Sequence, residues 1–144
     1  MLSISSYALN DQIIEEYKIA RETLKNQNFV ETDHYFFFKG VANFIDYEDE
    51  DEAEFIAEAD AYEKLEILAY NYICWPEFIS AETRVKIFYD YLKTQPIMSQ
   101  NIGFTIVKKK KNRDKSFEMI FLVTKEETKI IFPTTKNLSL INEC

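Results

Sequence analysis

Glycine, histidine and cysteine are scarce in this chain: of 144 residues two are Gly, one is His and two are Cys. Two glycines leave few places for the strained turns of catalytic loops. No Gly-rich phosphate loop, nucleophile elbow, kinase signature or zinc spacing is present either. The single histidine, His34, has no second imidazole or His-Cys pattern with which to build a metal site. Beside a predicted helix start it reads as a surface or capping residue rather than a base. Cys74 lies in an apolar run and Cys144 is the last residue. That is not the spacing of a disulfide framework or of a zinc site, so the compartment reads as reducing. No basic segment followed by an apolar run opens the chain, and no apolar run approaches the length of a membrane span. The expected location is cytoplasmic, with no membrane association.

Excess positive charge is also missing. The net charge is −8, which argues against a general affinity for DNA, RNA or anionic membrane. The sum conceals a polarity: residues 1–100 carry 20 acids and 8 bases, hence −12, whereas residues 101–144 carry 5 acids and 9 bases, hence +4. The two parts should attract. What the chain has in quantity is aromatic: nine Tyr and twelve Phe, 15% with the one Trp, which implies a core of large rings. The length fits one domain, 1–144, with a helical part over 1–100, a β-meander over 101–136 and a short C-terminal tail.

The stretch Glu52–Ile73 keeps a helical apolar period without Gly or Pro, with Phe55, Ala59, Tyr62, Leu65, Ala69, Tyr72 and Ile73 on one broad face. Early carboxylates suit the positive end of its dipole, and Pro76 ends it. A first helix runs to about Gln27 from a cap at Ser5, Ser6 or Asn10, with the stripe Leu9, Ile13, Tyr17, Ala20 and Leu24. Phe29–Tyr47 has strand propensity at Tyr35–Phe38 but helical spacing at Phe37, Val41, Phe44 and Ile45, and is read as a helix capped by Thr32 or Asp33. Gly40 would then cost about 1 kcal/mol in that helix. A further helix spans Ser80–Thr94, with Val85, Phe88, Tyr89 and Leu92 inward.

From Ile102 the period becomes two. Strands are predicted at Ile102–Val107 and Phe117–Val123, with a third, shorter one at Thr128–Phe132. The fold expected is therefore α+β: about four N-terminal helices packed on a C-terminal three-stranded antiparallel meander. The middle strand is partly apolar on both faces, so helices should cover one face and something else the other.

Two charge clusters are the candidate sites. Nine carboxylates occupy the fifteen positions Asp46–Asp60, read as a solvated connector followed by a helix that presents Asp49, Glu50, Asp51 and Glu54 to a basic partner. Without a Gly in the run a calcium loop is excluded. The connection between the first two strands carries Lys108, Lys109, Lys110, Lys111, Arg113 and Lys115, which either deter edge pairing or grip an anion through Lys109, Lys110, Lys111 and Arg113. Glu58 and Glu66 interrupt the apolar stripe of the central helix. Their ordinary reading is at its margin, their sharper one as carboxylates of raised pKa serving acid catalysis or a metal.

The function expected is a small cytosolic binding or inhibitory protein, of the immunity-protein or antitoxin kind, that neutralises a basic toxin or nuclease. No enzymatic role, metal or cofactor is expected. The alternative is an adaptor whose Lys108–Lys115 hairpin contacts nucleic acid or an acidic protein; the third reading is an enzyme using Glu58, Glu66 or His34.

Overall fold

The computed structural model describes residues 3–5, 10–43, 50–94, 103–113, 115–131, 133, 138 and 140. In chain order these form β1 (Ser3–Ser5), α1 (Asp11–Leu24), β2 (Phe29–Glu31), β3 (Tyr35–Asn43), α2 (Glu50–Tyr72), α3 (Ala81–Thr94), β4 (Gly103–Lys111), β5 (Ser116–Thr124) and α4 (Lys125–Ile131). The strands make one sheet in the order β1-β4-β5-β3-β2. Four of them run antiparallel, and β1 joins the edge parallel to the first residues of β4. The fold is α+β, but it is not helices followed by a meander: the sheet takes a hairpin from the N-terminal half and another from the C-terminal half.

Two expectations fail where the sheet is concerned. The predicted helix over Phe29–Tyr47 is, in its described part, the hairpin β2–β3; residues 44–49 lie outside the described residues. The helical spacing misleads because β3 is buried on both faces, so its apolar run does not alternate. Tyr35 and Phe37 point to a cluster under α1, while Phe36, Phe38 and Ala42 belong to the cluster under α2. The predicted third strand at Thr128–Phe132 is instead, in its described part Thr128–Ile131, within α4, and Phe132 lies outside the described residues. Here a reciprocal cap wins over β-branched propensity: the Glu127 N–H donates to Thr124 Oγ1 at 3.1 Å, and the Thr124 N–H reaches Glu127 Oε1 at 3.4 Å.

The remaining helices fall near their predicted spans. Asn10 is the cap of α1, its Oδ1 accepting the Ile13 N–H at 2.9 Å, and Ser80 Oγ accepts the Thr83 N–H at 3.2 Å ahead of α3. The inward faces differ in detail: Ile13, Glu16, Ala20 and Leu24 are buried on α1, and Phe88 and Leu92 on α3, whereas Val85 and Tyr89 are exposed. Leu9 lies outside the described residues.

β5 is the hub. Phe117, Met119, Phe121 and Val123 face α2, and Ile120 and Leu122 face α1. The "something else" that covers the second face is therefore α1, which packs on β2 and β3. Phe38 and Phe121 are directly paired across β3 and β5, their rings stacked 5.8 Å apart.

α2 lies on β3 and β5 through a stripe that keeps Tyr62, Leu65, Ala69 and Ile73 of the predicted face and differs in the rest. Phe55, Ala59 and Tyr72 are exposed, and Ala53, Ala57, Ala61 and Leu68 are buried in addition to the predicted residues. Small residues let the helix backbone come down onto the sheet. Directly beneath is Gly40, at an ordinary negative φ: a Cβ there would overlap the Ala57 carbonyl oxygen and approach the Ala57 carbonyl carbon to 2.8 Å. Gly40 is thus a strand residue selected for close approach, not a cost inside a helix. Beyond the end of β2, the outward Val41 N–H finds its partner on the same helix, donating to Asp60 Oδ2 at 2.9 Å.

Cys74, just past α2, is disulfide-bonded, which corrects the inference from its spacing, and Cys144 lies outside the described residues. Pairing depends on proximity in the fold, not on sequence spacing, so the cysteines carry no argument for a reducing compartment. No helix among the described residues is long and apolar enough to cross a membrane.

Gly40→Ala should cost on the order of 3 kcal/mol, because helix backbone rather than a flexible side chain must give way. Urea unfolding measures this directly, and an unchanged midpoint would show that α2 does not sit on the sheet at this distance.

Candidate functional site: two faces of opposite charge

The chain's charge polarity becomes a polarity between the two sides of the sheet. On one side, the outer ridge of α2 carries Asp51, Phe55, Ala59 and Glu63 at successive four-residue steps, all exposed. Phe55 is 66% exposed, and neither Asp51 nor Glu63 takes part in an ion pair among the described residues. Of the other predicted acidic residues, Asp49 and the side chain of Glu50 lie outside the described residues. Glu54 is committed, accepting from Lys109 Nζ at 2.7 Å. Asp60 is committed twice, to the Val41 N–H and to Lys64 Nζ at 3.0 Å.

Glu58 and Glu66 are half-buried on this helix. Burial raises the pKa of both, with help from the nearby charge of Glu54 on Glu58 and of Glu63 on Glu66. His34 lies across the sheet, on the side of α1. Its Nδ1 is 2.8 Å from Glu16 Oε2, and its backbone N–H donates to Glu16 Oε1 at 2.9 Å. The three residues of the enzymatic reading therefore share no site.

Glu16 itself was missed by the sequence reading, although it stands three residues after Ile13 on the buried stripe. Burial pushes its pKa up, but hydrogen bonds from Thr32 and the His34 backbone and ring outweigh that and hold it below the ordinary value. Its role is structural: it ties the β2–β3 turn to α1. Among the described residues no group of three His, Cys, Asp or Glu is placed to hold a metal ion.

The basic cluster is not a hairpin tip. Lys108–Lys111 lie within β4, and only Asn112–Lys115 form the turn, where Asp114 is outside the described residues. A register shift between Ile106 and Lys108 decides where the lysines go. Ile106 pairs with Phe121 on the α2 side, Val107 joins the cluster under α1, and Lys108 then pairs with Ile120 on the α1 side. The extra residue of this bulge puts Val107 and Lys108 on one face. Lys109 consequently turns toward α2 and Glu54, while Lys108 and Lys110 turn into a cavity of about 430 Å³ against α1. Lys111 ends the strand and Arg113 sits in the turn, both exposed. The predicted cations are thus divided between two faces.

Arg21 and Lys25 from α1 and Lys39 from β3 line the same cavity as Lys108 and Lys110, with Glu22 and Glu118 as its carboxylates. The sequence reading did not connect these residues, because only the bulge and the sheet order bring them together.

Comparison with protein-family models, curated proteins and solved structures finds no match.

The raised pKa of Glu66 fixes the sign of a stability effect. A carboxylate that is harder to ionise when folded opposes folding above its raised pKa, and this penalty disappears as pH falls toward and below the ordinary 4.5. Glu66→Gln should therefore raise the thermal midpoint at pH 7, and its advantage should shrink toward pH 4. A constant difference between the two proteins across that range would assign the effect to packing instead.

Proposed function

We propose that the protein is a small acidic binding or inhibitory protein of the immunity-protein or antitoxin kind, acting in the cytoplasm, which neutralises a basic toxin or nuclease. The outer ridge of α2 would lie against the partner's cationic cleft. The observation that carries this reading is Phe55, two-thirds exposed on a ridge with Asp51 and Glu63, where it contributes nothing to the core. An aromatic anchor amid carboxylates suits an interface in which charge steers the encounter and a buried ring supplies the affinity.

Further exposed apolar side chains extend the surface: Ile67 on α2, and Val85 and Tyr89 on α3. The Tyr89 phenol is raised in pKa by burial and by the neighbouring charges of Glu66 and Glu63, which supports reading α2 and α3 as one continuous acidic and apolar surface. The adaptor reading has less behind it, since Lys109 is already held by Glu54 and Lys110 faces the opposite side of the sheet.

Recovery of a basic protein from native lysate, identified by mass spectrometry, tests the proposal. Phe55→Ala combined with Asp51→Asn and Glu63→Gln should lower recovery about ten-fold or more. Ile19→Ala, which removes a side chain 71% exposed on α1, should leave it unchanged. Equal recovery by all three proteins at every salt concentration would reject α2 as the binding surface.

A further inference from the structure

The cavity between α1 and the sheet has a chemistry that the fold does not require. Among the described residues, Arg21, Lys108 and Lys110 make no ion pair, yet all three line it. Two further cations at its margin are occupied: Lys25 Nζ lies 3.0 Å from Glu22 Oε2, and Lys39 Nζ donates to the Leu24 carbonyl at 2.7 Å. One carboxylate is left facing the open cations, Glu118, the cross-strand neighbour of Lys110. Five cations line the cavity against the two carboxylates Glu22 and Glu118, so it carries an excess of positive charge in a chain whose net charge is −8. A sequence free to vary would separate them, and the bulge before Lys108 does the opposite.

Apart from Asn112, the rest of the lining is apolar and aromatic. Leu24 and Ile120 contribute to it, as does Tyr17, whose ring packs 5.9 Å from that of Phe37. The volume of about 430 Å³ falls within the range of small-molecule sites. Arg21, Lys108 and Lys110 are exposed side chains lining one cavity, and a guanidinium with two ammonium groups suits a dianionic phosphate, which an arginine can take through two parallel hydrogen bonds. The apolar lining would cover the organic part of such a ligand. A long polyanion is disfavoured, because the net charge of −8 and the acidic ridge of α2 repel an extended phosphate backbone.

We propose that this cavity binds a small phosphate monoester with an apolar or aromatic body, of about mononucleotide size, with Arg21, Lys108 and Lys110 holding the phosphate and Tyr17, Leu24 and Ile120 contacting the body. The site lies across the sheet from the α2 ridge and does not depend on it.

Calorimetric titration of the full chain tests this, with adenosine monophosphate as the probe and inorganic phosphate, adenosine, a short acidic peptide and a single-stranded oligonucleotide as comparisons. The monophosphate should bind at least about ten-fold more tightly than phosphate or adenosine alone. Lys108→Ala with Lys110→Ala should weaken it about ten-fold or more, Arg21→Gln should act in the same direction, and Glu118→Gln should strengthen it. Lys109→Ala removes an equal charge from the opposite face and should change affinity less than about two-fold. The urea midpoint of each variant shows that it is folded, and should the double variant not fold, Arg21→Gln and Glu118→Gln decide the outcome. The proposal is overturned by no binding of the monophosphate at millimolar concentration, by an equal loss with Lys109→Ala, by phosphate binding as tightly as its ester, or by tighter binding of the peptide or oligonucleotide.

Discussion

The contact between the backbone of Ala57 and the open face of Gly40 governs the arrangement of this protein. Helix-on-sheet packing ordinarily interposes two layers of side chains, and here one of them is missing: the helix meets the strand at a glycine, through Ala53, Ala57 and Ala61. The consequence follows from volume. A helix that spends its inward face on alanine must carry its larger residues on its flanks and outer side. Phe55 and Ile67 are exposed for that reason, Glu58 and Glu66 are half-buried at the flanks, and Tyr62 and Leu65 are inserted only where the stripe widens.

The opposite face of the sheet follows a different constraint. There a single extra residue in β4 sets which lysines face which helix, because strand side chains alternate and a shift by one exchanges the faces. The Lys109–Glu54 pair joins the basic strand to the acidic helix, but as a partly exposed ion pair it contributes at most about 1 kcal/mol. Its interest is geometric: it is where the attraction expected between the negative and positive parts of the chain is realised, and it removes both residues from the surface available to a partner. The rest of the separation persists, acid outside α2 and base beneath α1.

The sequence disclosed the elements whose apolar residues report one buried face. α1 and α3 were placed closely because each has a polar side and a cap, and β4 and β5 because alternation resumes after Gly103. It misled at β3, although β5, which also faces two layers, was legible as a strand. Tyr35–Phe38 are all buried and so show no period at all, and the spacing of Phe37 and Val41 then filled the gap with a helix. The alanines of α2 were equally misleading, since a tight contact favours small residues that a search for large apolar ones passes over. Thr124 and Glu127 did carry a readable signal, a Thr-x-x-Glu cap, which the apolar run Ile130–Phe132 obscured. Of the candidate sites, the acidic ridge was legible as a cluster but not as to which members are free; the basic cavity was not legible, since Arg21, Lys39 and Lys108 meet only through the sheet order.

Where polar groups are used structurally, they occur at margins that apolar packing does not secure. Glu16 holds the β2–β3 turn from the α1 side, accepting from the Thr32 hydroxyl at 2.5 Å and the His34 N–H at 2.9 Å. From the other side Glu31 pairs with Lys125 at 2.7 Å and accepts the Tyr72 hydroxyl, while Tyr72 meets the Phe36 ring edge-on. Burial and the adjacent Glu31 push the Tyr72 phenol up to about 12, so it remains a donor throughout the physiological range. Asp60 supplies the third such contact, at the open edge of β3. With these positions accounted for, Asp51, Phe55 and Glu63 on one face and Arg21, Lys108 and Lys110 on the other have no comparable structural duty. A surface carboxylate or lysine alone would mean little, since most such residues only keep a protein soluble. Grouping is what requires a cause: like charges placed together destabilise the folded state, and an exposed aromatic ring such as Phe55 forgoes the burial that stabilises Phe37, Phe38, Phe88 and Phe121. Binding of a group of opposite charge, or of an apolar surface, is what would offset both costs.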